Sequence, residues 1–251
     1  MLTAVLALLA GFVAGVINTL AGSGSLVTLP LLVFLGASAG VANGTNRIGV
    51  LLQSGVGAVG FRRGGARLPR GAWRLIAAGV VGALVGAAVA VDLNEQLLER
   101  IIAVLMAFML VVVLIKPQRW LRERSDETHD APGLLAVAGF FAIGLYGGFI
   151  QAGVGVILLA AMVLGLGYDL ATSNYVKLVI VLVYTVPAIG VFVVNDQIDW
   201  SLGLLLAVGQ AVGAWAAARF ATESKQANLW IRRLLIVVTV VGILRFSGVF
   251  G

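Results

Sequence analysis

The stretch NTLAGSGSLVTLP, residues 18–30, interrupts an otherwise apolar part of the chain with the run Gly22-Ser23-Gly24-Ser25. Such a run disfavours a continuous helix, because glycine loses much backbone entropy on folding and serine competes for backbone hydrogen bonds. Further along, FIQAGVGVILLA (149–160) interrupts the chain in a similar way. The pair predicts two broken helices at equivalent places.

The composition is that of a membrane protein. The 251 residues are 61% hydrophobic and only 11% charged, whereas soluble domains carry roughly a quarter charged residues. Ten apolar runs follow one another, at 2–18, 25–35, 41–61, 72–91, 97–115, 133–150, 154–166, 172–194, 200–218 and 229–246. Most are long enough to cross roughly 30 Å of hydrocarbon as helices, so we predict an all-α polytopic membrane protein. The first run lacks a basic flank and is expected to be a mature span rather than a cleaved signal.

Several function classes are excluded by what the sequence lacks. It has no cysteine and one histidine, His129, so cysteine or histidine metal clusters are not expected. It also has no Walker A sequence, no Ser/His/Asp set and no pair of carboxylates within a span. We therefore predict no enzyme activity, no cofactor and no metal. The net charge of +6 is assigned to cytoplasmic loops rather than to nucleic-acid binding.

The two halves of the chain carry the same features in the same order. At an offset of 131 residues, Ala21-Gly22-Ser23-Gly24 lies over Ala152-Gly153-Val154-Gly155, Gly36 over Gly167 and Asn43 over Asn174. The charged segment at 116–131 separates five apolar runs from five others. We therefore predict a first transmembrane repeat at 1–115, a cytoplasmic linker at 116–131 and a second repeat at 132–251. Each repeat has about five helical segments, including short half-helices.

Loop charges predict that the repeats are inverted. The loop at 61–74 carries five arginines, whereas its counterpart at 195–199 carries two aspartates and no cation. Positive loops stay in the cytoplasm, so equivalent loops lie on opposite sides of the membrane. Both termini are then outside, in the cytoplasmic membrane of a bacterium or archaeon. Inverted repeats with broken helices are typical of secondary transporters.

Two intramembrane cations indicate an anion site. Arg47 lies in VANGTNRIG (41–49) and Lys177 in ATSNYVKLV (171–179), and each follows polar residues that are expected to open a long helix. Helix N-termini and cations both favour an anion, and with only Asp169 nearby the cations lack an obvious protein partner. The predicted substrate-binding residues are Arg47, Lys177, Asn43, Thr45, Asn46, Ser173, Asn174, Gly22, Ser23, Gly24, Ser25, Gln151, Gly153 and Gly155.

Each of these features also has a structural interpretation. The glycines at the two breaks could serve helix packing alone, as is expected of Gly11-xxx-Gly15, Gly82-xxx-Gly86 and Gly209-xxx-Gly213. Arg47 and Lys177 could extend to the membrane interface. The mid-span polar residues Gln53, Tyr184 and Gln210 are expected to form interhelical hydrogen bonds.

The doubled motif order resembles the TauE/SafE sulfite-exporter family of membrane permeases. The match is carried by Gly22 to Ser25 with Pro30 after it, by GTNR (44–47), and by Gly153 and Gly155 with the later ATSNYVK. Arg47 stands where that family often has lysine, and Ser23 and Val154 separate glycines that are often adjacent. The resemblance covers nearly the whole chain and implies transport of sulfite or an organosulfonate.

We therefore predict a permease that moves a small sulfur-containing anion by alternating access within the lipid bilayer. The alternatives are an anion channel and a non-transporting membrane partner subunit. Whether the protein forms a homodimer stays open at this stage.

Overall fold

The computed structural model describes residues 2–114 and 132–220, and within these ranges every regular element is helical. The helices are α1 (Leu2–Ala21), α2 (Ser25–Phe34), α3 (Ala39–Arg63), α4 (Ala72–Asp92), α5 (Glu95–Leu114), α6 (Leu134–Phe149), α7 (Val154–Ala160), α8 (Leu170–Val194) and α9 (Trp200–Phe220). A π-helical turn, Ala161–Gly165, continues α7. The predicted linker at 116–131 and the tenth apolar run at 229–246 lie outside the described residues.

The helix lengths separate spans from half-helices. Four of the described helices are long and apolar enough to cross a membrane: Leu2–Ala21, Ala72–Asp92, Leu170–Val194 and Trp200–Arg219. Helix α3, with 25 residues, is as long as α8 but carries the polar Asn43–Arg47 motif. The two short runs form α2 and the segment Val154–Gly165, and neither is long enough to span roughly 30 Å. Helix α6, from the apolar run at 133–150, has 16 residues and is also shorter than a full span. The chain is thus an all-helical integral membrane protein.

The two breaks share one backbone conformation. Helix α1 ends just before Gly22, which has a φ of 77°, and Gly153 before α7 has a φ of 72°. This left-handed region is open to glycine and strained for residues with a Cβ. The glycines quoted from the sequence are therefore required where each long helix gives way to a short one.

The turns after the half-helices also correspond. Gly36 and Gly167 have positive φ values of 98° and 70°. Two residues later, Ser38 accepts a hydrogen bond from the N–H of Val41, and Asp169 accepts one from Thr172. These side chains are the N-caps of α3 and α8, because each satisfies a backbone donor that the first helical turn leaves unpaired. Both halves therefore use the same sequence of glycine turn, short helix, glycine and cap.

The helices pack mainly across the two halves. Helix α1 lies against α9, α4 lies against α6, and the long helices α3 and α8 lie side by side between them. Methyl groups at Gly11 or Gly15 would collide with α9 backbone, and at Gly82 or Gly86 with α6 backbone. The predicted packing role of these small-residue pairs is confirmed.

Side chains of α5 pack against the first half-helix. Leu98, Ile102 and Met106 of α5 are buried in one cluster with Leu29 and Leu32 of α2. Most of the α2 side chains are buried in this way, as expected where a helix too short to span the membrane is covered by protein.

Candidate functional site

Arg47 is fully buried and reaches across to the other half of the protein. Its guanidinium donates to the carbonyl oxygens of Gly147 at 3.2 Å and Gly148 at 2.5 Å, and to Asn43 Oδ1 at 3.3 Å. The ring of Phe192 lies 4.5 Å from the guanidinium carbon. The last carbonyls of a helix lack intrahelical donors and carry its negative dipole end, so Arg47 caps the C-terminus of α6.

Lys177 is equally buried and makes the corresponding contact in the opposite direction. Its Nζ donates to the carbonyl oxygens of Asn18 and Thr19, both at 3.1 Å, and to Asn174 Oδ1 at 2.8 Å. Asn18 and Thr19 belong to the last turn of α1. Each cation therefore belongs to a long helix of one half and caps the C-terminal end of the broken helix of the other half.

These contacts correct two expectations from the sequence. The cations do have protein partners, namely backbone carbonyls. Moreover, Thr172 and Ser173 lie in the first turn of α8, as predicted, but the cations lie further along their helices: α3 begins at Ala39 and α8 at Leu170, so Arg47 and Lys177 lie beyond the first two turns. The N-termini of α3 and α8 are therefore not beside the cations. Carbonyls are neutral, however, and neither cation forms an ion pair within the described ranges, so both positive charges remain uncompensated there.

The two glycine breaks touch one another. The N–H of Gly155 donates to the carbonyl oxygen of Gly22 at 3.1 Å. A Cβ at either glycine would collide with the backbone of the other. The turns that the sequence places far apart thus meet in the interior of the protein, between α1 and α7.

Several of the predicted binding residues form hydrogen bonds within the protein. Asn46 donates to Ser25 Oγ at 3.0 Å and accepts from Thr28 Oγ1 at 2.5 Å, which joins α3 to α2. Thr45 Oγ1 accepts from the N–H of Asp199 at 2.8 Å. These bonds fix the ends of the half-helix and of the α8–α9 loop.

Other members of the predicted set pack or bond elsewhere. Asn43 Nδ2 donates to the carbonyl oxygen of Phe149 at 2.7 Å, and Ser173 Oγ donates to that of Tyr168 at 3.5 Å. Gly24 lies against the carbonyl of Ala14, where a Cβ would collide. Ser23 is buried, and its Oγ has no hydrogen-bond partner among the described residues.

A small cavity, lined almost entirely by buried residues, lies beside Lys177 and the glycine contact. It has room for about one water molecule. Its walls come from α1, α3, α7 and α8 and from the turn before α7, and the lining residues are Asn18, Val50, Gln53, Ser54, Gln151, Val154, Gly155, Lys177, Leu178 and Val181. The cavity therefore lies where both breaks and one of the cations converge.

The cavity walls carry buried polar atoms without partners. Gln53 Nε2, Ser54 Oγ and Gln151 Oε1 form no hydrogen bond within the described part of the chain. The other ends of the two amides are engaged: Gln53 Oε1 accepts from Asn18 Nδ2 at 2.5 Å, and Gln151 Nε2 donates to Thr185 Oγ1 at 3.2 Å. An unpaired buried polar group is costly, so a cluster of them in one cavity indicates a missing partner such as a ligand or water.

Of the predicted residues, Lys177, Gln151 and Gly155 line this cavity, and the remaining ones are not among its lining residues. Asn18, Gln53 and Ser54 were not predicted from the sequence to be site residues. Each is a polar residue in or next to an apolar run, and Gln53 was predicted to form an interhelical hydrogen bond. Asn18 does bond to Gln53, so the predicted interhelical role holds alongside the cavity position.

The chemistry of the cavity is cationic and rich in amide and hydroxyl groups. No carboxylate lines it, and no group of three or more His, Cys, Asp or Glu side chains suited to a metal occurs among residues 2–114 and 132–220. Apolar spans, two broken helices in contact and a small polar cavity beside a buried cation are features typical of a membrane transporter.

The family model described as "Sulfite exporter TauE/SafE" matches residues 7–246. The chain therefore belongs to the TauE/SafE family, which confirms the resemblance drawn from its motifs. Membership of a transporter family is consistent with the prediction that the chain is not an enzyme.

Relatives in three bacteria cover most of the chain. It is 25% identical to "Probable membrane transporter protein ORF9" of a Sinorhizobium species, over 92% of this chain and 87% of the relative. It is also 25% identical to a "Probable membrane transporter protein" of Haemophilus influenzae, over 91% and 88% of the two chains. Identity to "Probable membrane transporter protein YfcA" of Escherichia coli K12 is again 25%, over 94% and 84%. No solved structure matches the chain.

Proposed function

We propose that this chain is a secondary transporter that moves a small sulfur-containing anion, such as sulfite or an organosulfonate, across the cytoplasmic membrane. The observation that carries the proposal is a cavity lined by Lys177, Gln53 and Ser54, because Gln53 Nε2 and Ser54 Oγ are buried donors without a partner in the described part of the chain. Sulfite and sulfonate oxygens are hydrogen-bond acceptors that carry negative charge. Charge-assisted hydrogen bonds from such donors are among the strongest in proteins.

The two cations take different roles in this proposal. Lys177 lines the cavity and can turn one N–H from a carbonyl of α1 to a substrate oxygen. Arg47 is not part of the cavity wall and is held by the carbonyls of Gly147 and Gly148. We therefore assign direct binding to Lys177, and to Arg47 a positive potential together with fixation of α6.

The remaining predicted ligands support the site rather than contact the anion. Asn43, Thr45, Asn46 and Ser173 already bond within the protein, and Asn174 orients Lys177. Gly22 and Gly153 supply turns that no other residue forms without strain. Gln151 and Gly155 complete the cavity wall.

The size of the cavity supports transport by alternating access. Sulfite is larger than the single water that the cavity accommodates, so its binding requires neighbouring helices to move apart. In this state the cavity leaves no room for sulfite. A carrier passes through such a compact state, whereas an open anion channel keeps a continuous path.

The helix pairing supports inverted repeats as the moving units. If α6 corresponds to α1 and α9 to α4, then the contact between α1 and α9 becomes the contact between α6 and α4 when the two halves are interchanged. The same interchange turns the contact of Arg47 with α6 into the contact of Lys177 with α1. Together with the opposite charges of the equivalent loops, this favours two inverted halves rocking about a central site, with both termini outside.

Flux into proteoliposomes of purified full-length protein tests the proposal. Sulfite, sulfate, thiosulfate, sulfoacetate and taurine are compared for uptake, counterflow and stabilisation against heat, with Arg62→Gln as a charge-matched control for Lys177→Gln. We expect saturable counterflow of sulfite or a sulfonate that Lys177→Gln abolishes and Arg62→Gln retains. Large unitary currents without counterflow would establish the channel, and no stabilisation by any of the anions would favour a partner subunit.

A further inference from the structure

The cavity beside Lys177 has a hydrogen-bond acceptor in its wall as well as donors. Gln151 lines this cavity and is 2% exposed, and its Oε1 forms no hydrogen bond within the described part of the chain. The oxygens of an anion are themselves acceptors, so binding them requires donors alone. The acceptor on Gln151 therefore calls for a further group on the substrate.

The unpaired end of Gln53 is a donor, and a chain of hydrogen bonds that starts at the backbone fixes it so. The N–H of Gly24 donates to Asn18 Oδ1 at 3.3 Å, which makes the other end of the Asn18 amide the donor. That end, Nδ2, donates to Gln53 Oε1 at 2.5 Å and leaves Gln53 Nε2 without a partner among the described residues.

Gln151 is bonded in the opposite sense. Its Nε2 donates to Thr185 Oγ1 at 3.2 Å and to Tyr184 Oη at 3.5 Å, so the oxygen is the end left for the cavity. Lys177 lines the same cavity, and its positive charge favours this orientation because side-chain dipoles orient in the field of the protein. Two glutamines from different halves of the chain therefore offer opposite ends of their amides to one cavity.

The charge of the wall matches a single negative charge. Among the described residues that line the cavity, Lys177 alone is charged. Arg47 does not line it, and its guanidinium is held by the carbonyls of Gly147 and Gly148. A dianion would bring one more buried negative charge than the ammonium balances, and a buried charge without a partner is costly.

We infer, building on the proposed function, that the substrate is a monoanion that carries its own hydrogen-bond donor, and that Gln151 recognises this donor. Hydrogen sulfite fits the description, because it has one negative charge and one O–H, whereas sulfite and sulfate are dianions with acceptors alone. Lys177, Gln53 and Ser54 bind the charged oxygens, and Gln151 Oε1 accepts from the O–H. A site built to bond a substrate donor rejects analogues that lack it, because its own buried acceptor is then left unpaired.

Three tetrahedral anions of similar size separate the donor from the charge. Sulfamate is a monoanion with an N–H donor, methanesulfonate is a monoanion with a methyl group in its place, and sulfate is a dianion without a donor. Calorimetric titration of the purified full-length protein gives the affinity for each. An unpaired buried acceptor weakens binding roughly 5- to 150-fold, so we expect methanesulfonate to bind more weakly than sulfamate by this factor and sulfate to bind no more tightly than methanesulfonate.

Methionine variants of the two glutamines test which residue recognises the donor. Gln151→Met is expected to bind sulfamate and methanesulfonate equally, because the acceptor is removed. Gln53→Met is the matched control, since it removes a donor from the same cavity and is expected to weaken both anions alike while their ratio stays that of the wild type. The ratio is measured within each variant, so a general loss of stability leaves it unchanged, and the wild-type comparison requires no substitution.

Equal binding of sulfamate and methanesulfonate by the wild type would overturn the inference and leave the proposed function in place, because water alone would then satisfy Gln151 Oε1. Tighter binding of sulfate than of sulfamate, an unchanged ratio in Gln151→Met, or binding of sulfite without binding of sulfamate would overturn it as well. No binding of sulfite or of any of the three anions would instead refute the proposed function, and the inference with it.

Discussion

The N–H of Gly155 donates a 3.1 Å hydrogen bond to the carbonyl oxygen of Gly22, and this bond joins the breaks of two helices that belong to different halves of the chain. Because neither glycine has a side chain, the two backbones approach within direct contact. A Cβ at either position would occupy the space of the other residue. The central cavity depends on this approach, since Gly155 forms part of its wall.

Alanine at Gly155 is expected to destabilise the protein by about 2–5 kcal/mol, because the added methyl group collides with backbone that cannot turn aside. Thermal unfolding of the purified protein measures the effect. Gly139→Ala is the matched control, since Gly139 lies in α6 with nothing within 4 Å of an added Cβ. A Gly155→Ala variant as stable as Gly139→Ala would contradict the contact between the breaks.

Alanine at Ser54 is expected to weaken substrate binding without weakening the fold. Ser54 Oγ is buried and has no partner in the described part of the chain, so its removal costs no hydrogen bond in the empty protein. A hydrogen bond to a charged ligand contributes about 1.5–3 kcal/mol, which corresponds to roughly a 10- to 150-fold weaker Kd. Calorimetric titration with the transported anion, beside an unfolding curve, separates the two effects.

The control for Ser54→Ala is Ser201→Ala, at an exposed position at the start of α9. It should leave both affinity and stability unchanged. If Ser54→Ala bound the anion as tightly as the wild type, the cavity would not be the substrate site, whatever happened to stability.

Methionine at Arg47 is expected to destabilise the protein by about 1–3 kcal/mol, because the carbonyls of Gly147 and Gly148 would lose their buried donor. Arg47→Lys should recover only part of this loss, since an ammonium does not present the planar fork of a guanidinium. Unfolding midpoints of the two variants and the wild type give the ranking. Equal stability of all three would show that Arg47 does not hold the end of α6.

Glutamine at Glu95 is expected to lower stability by about 0.5–2 kcal/mol. The Glu95 carboxylate accepts from the N–H of Ala39 and, at 3.4 Å, from that of Gly40, so a negative charge caps the N-terminus of α3. Glu99→Gln removes the same charge one turn further along α5 and should have less effect. The contribution of Glu95 would be refuted if both variants unfolded at the wild-type temperature.

Cysteine labelling tests the inverted arrangement. The natural chain has no cysteine, so a single cysteine can be introduced without background. We expect Asp196→Cys, in the α8–α9 loop, to react with an impermeant maleimide from outside whole cells, and Arg67→Cys, in the α3–α4 loop, to react only after the cells are opened. Reaction of both from the same side would exclude the inversion of the two halves.

The sequence by itself determined the class of the protein and the places where its helices break. Low charge requires a membrane environment, and the breaks predicted at Gly22 and Gly153 are turns in which both glycines have positive φ. The length of each apolar run then separated spans from half-helices. Both features are local. The breaks depend on the backbone conformation of single glycines, and the spans depend on the transfer of consecutive apolar side chains from water to lipid.

Only the tertiary structure decided what the polar residues contact. Arg47 and Lys177 were both predicted to bind an anion, yet each also caps a helix end that is 100 or more positions away in the sequence. Gln53 and Ser54 became cavity residues because α3 turns that side toward the glycine contact. A hydrogen bond between distant segments depends on how helices pack, and no spacing along the chain encodes it.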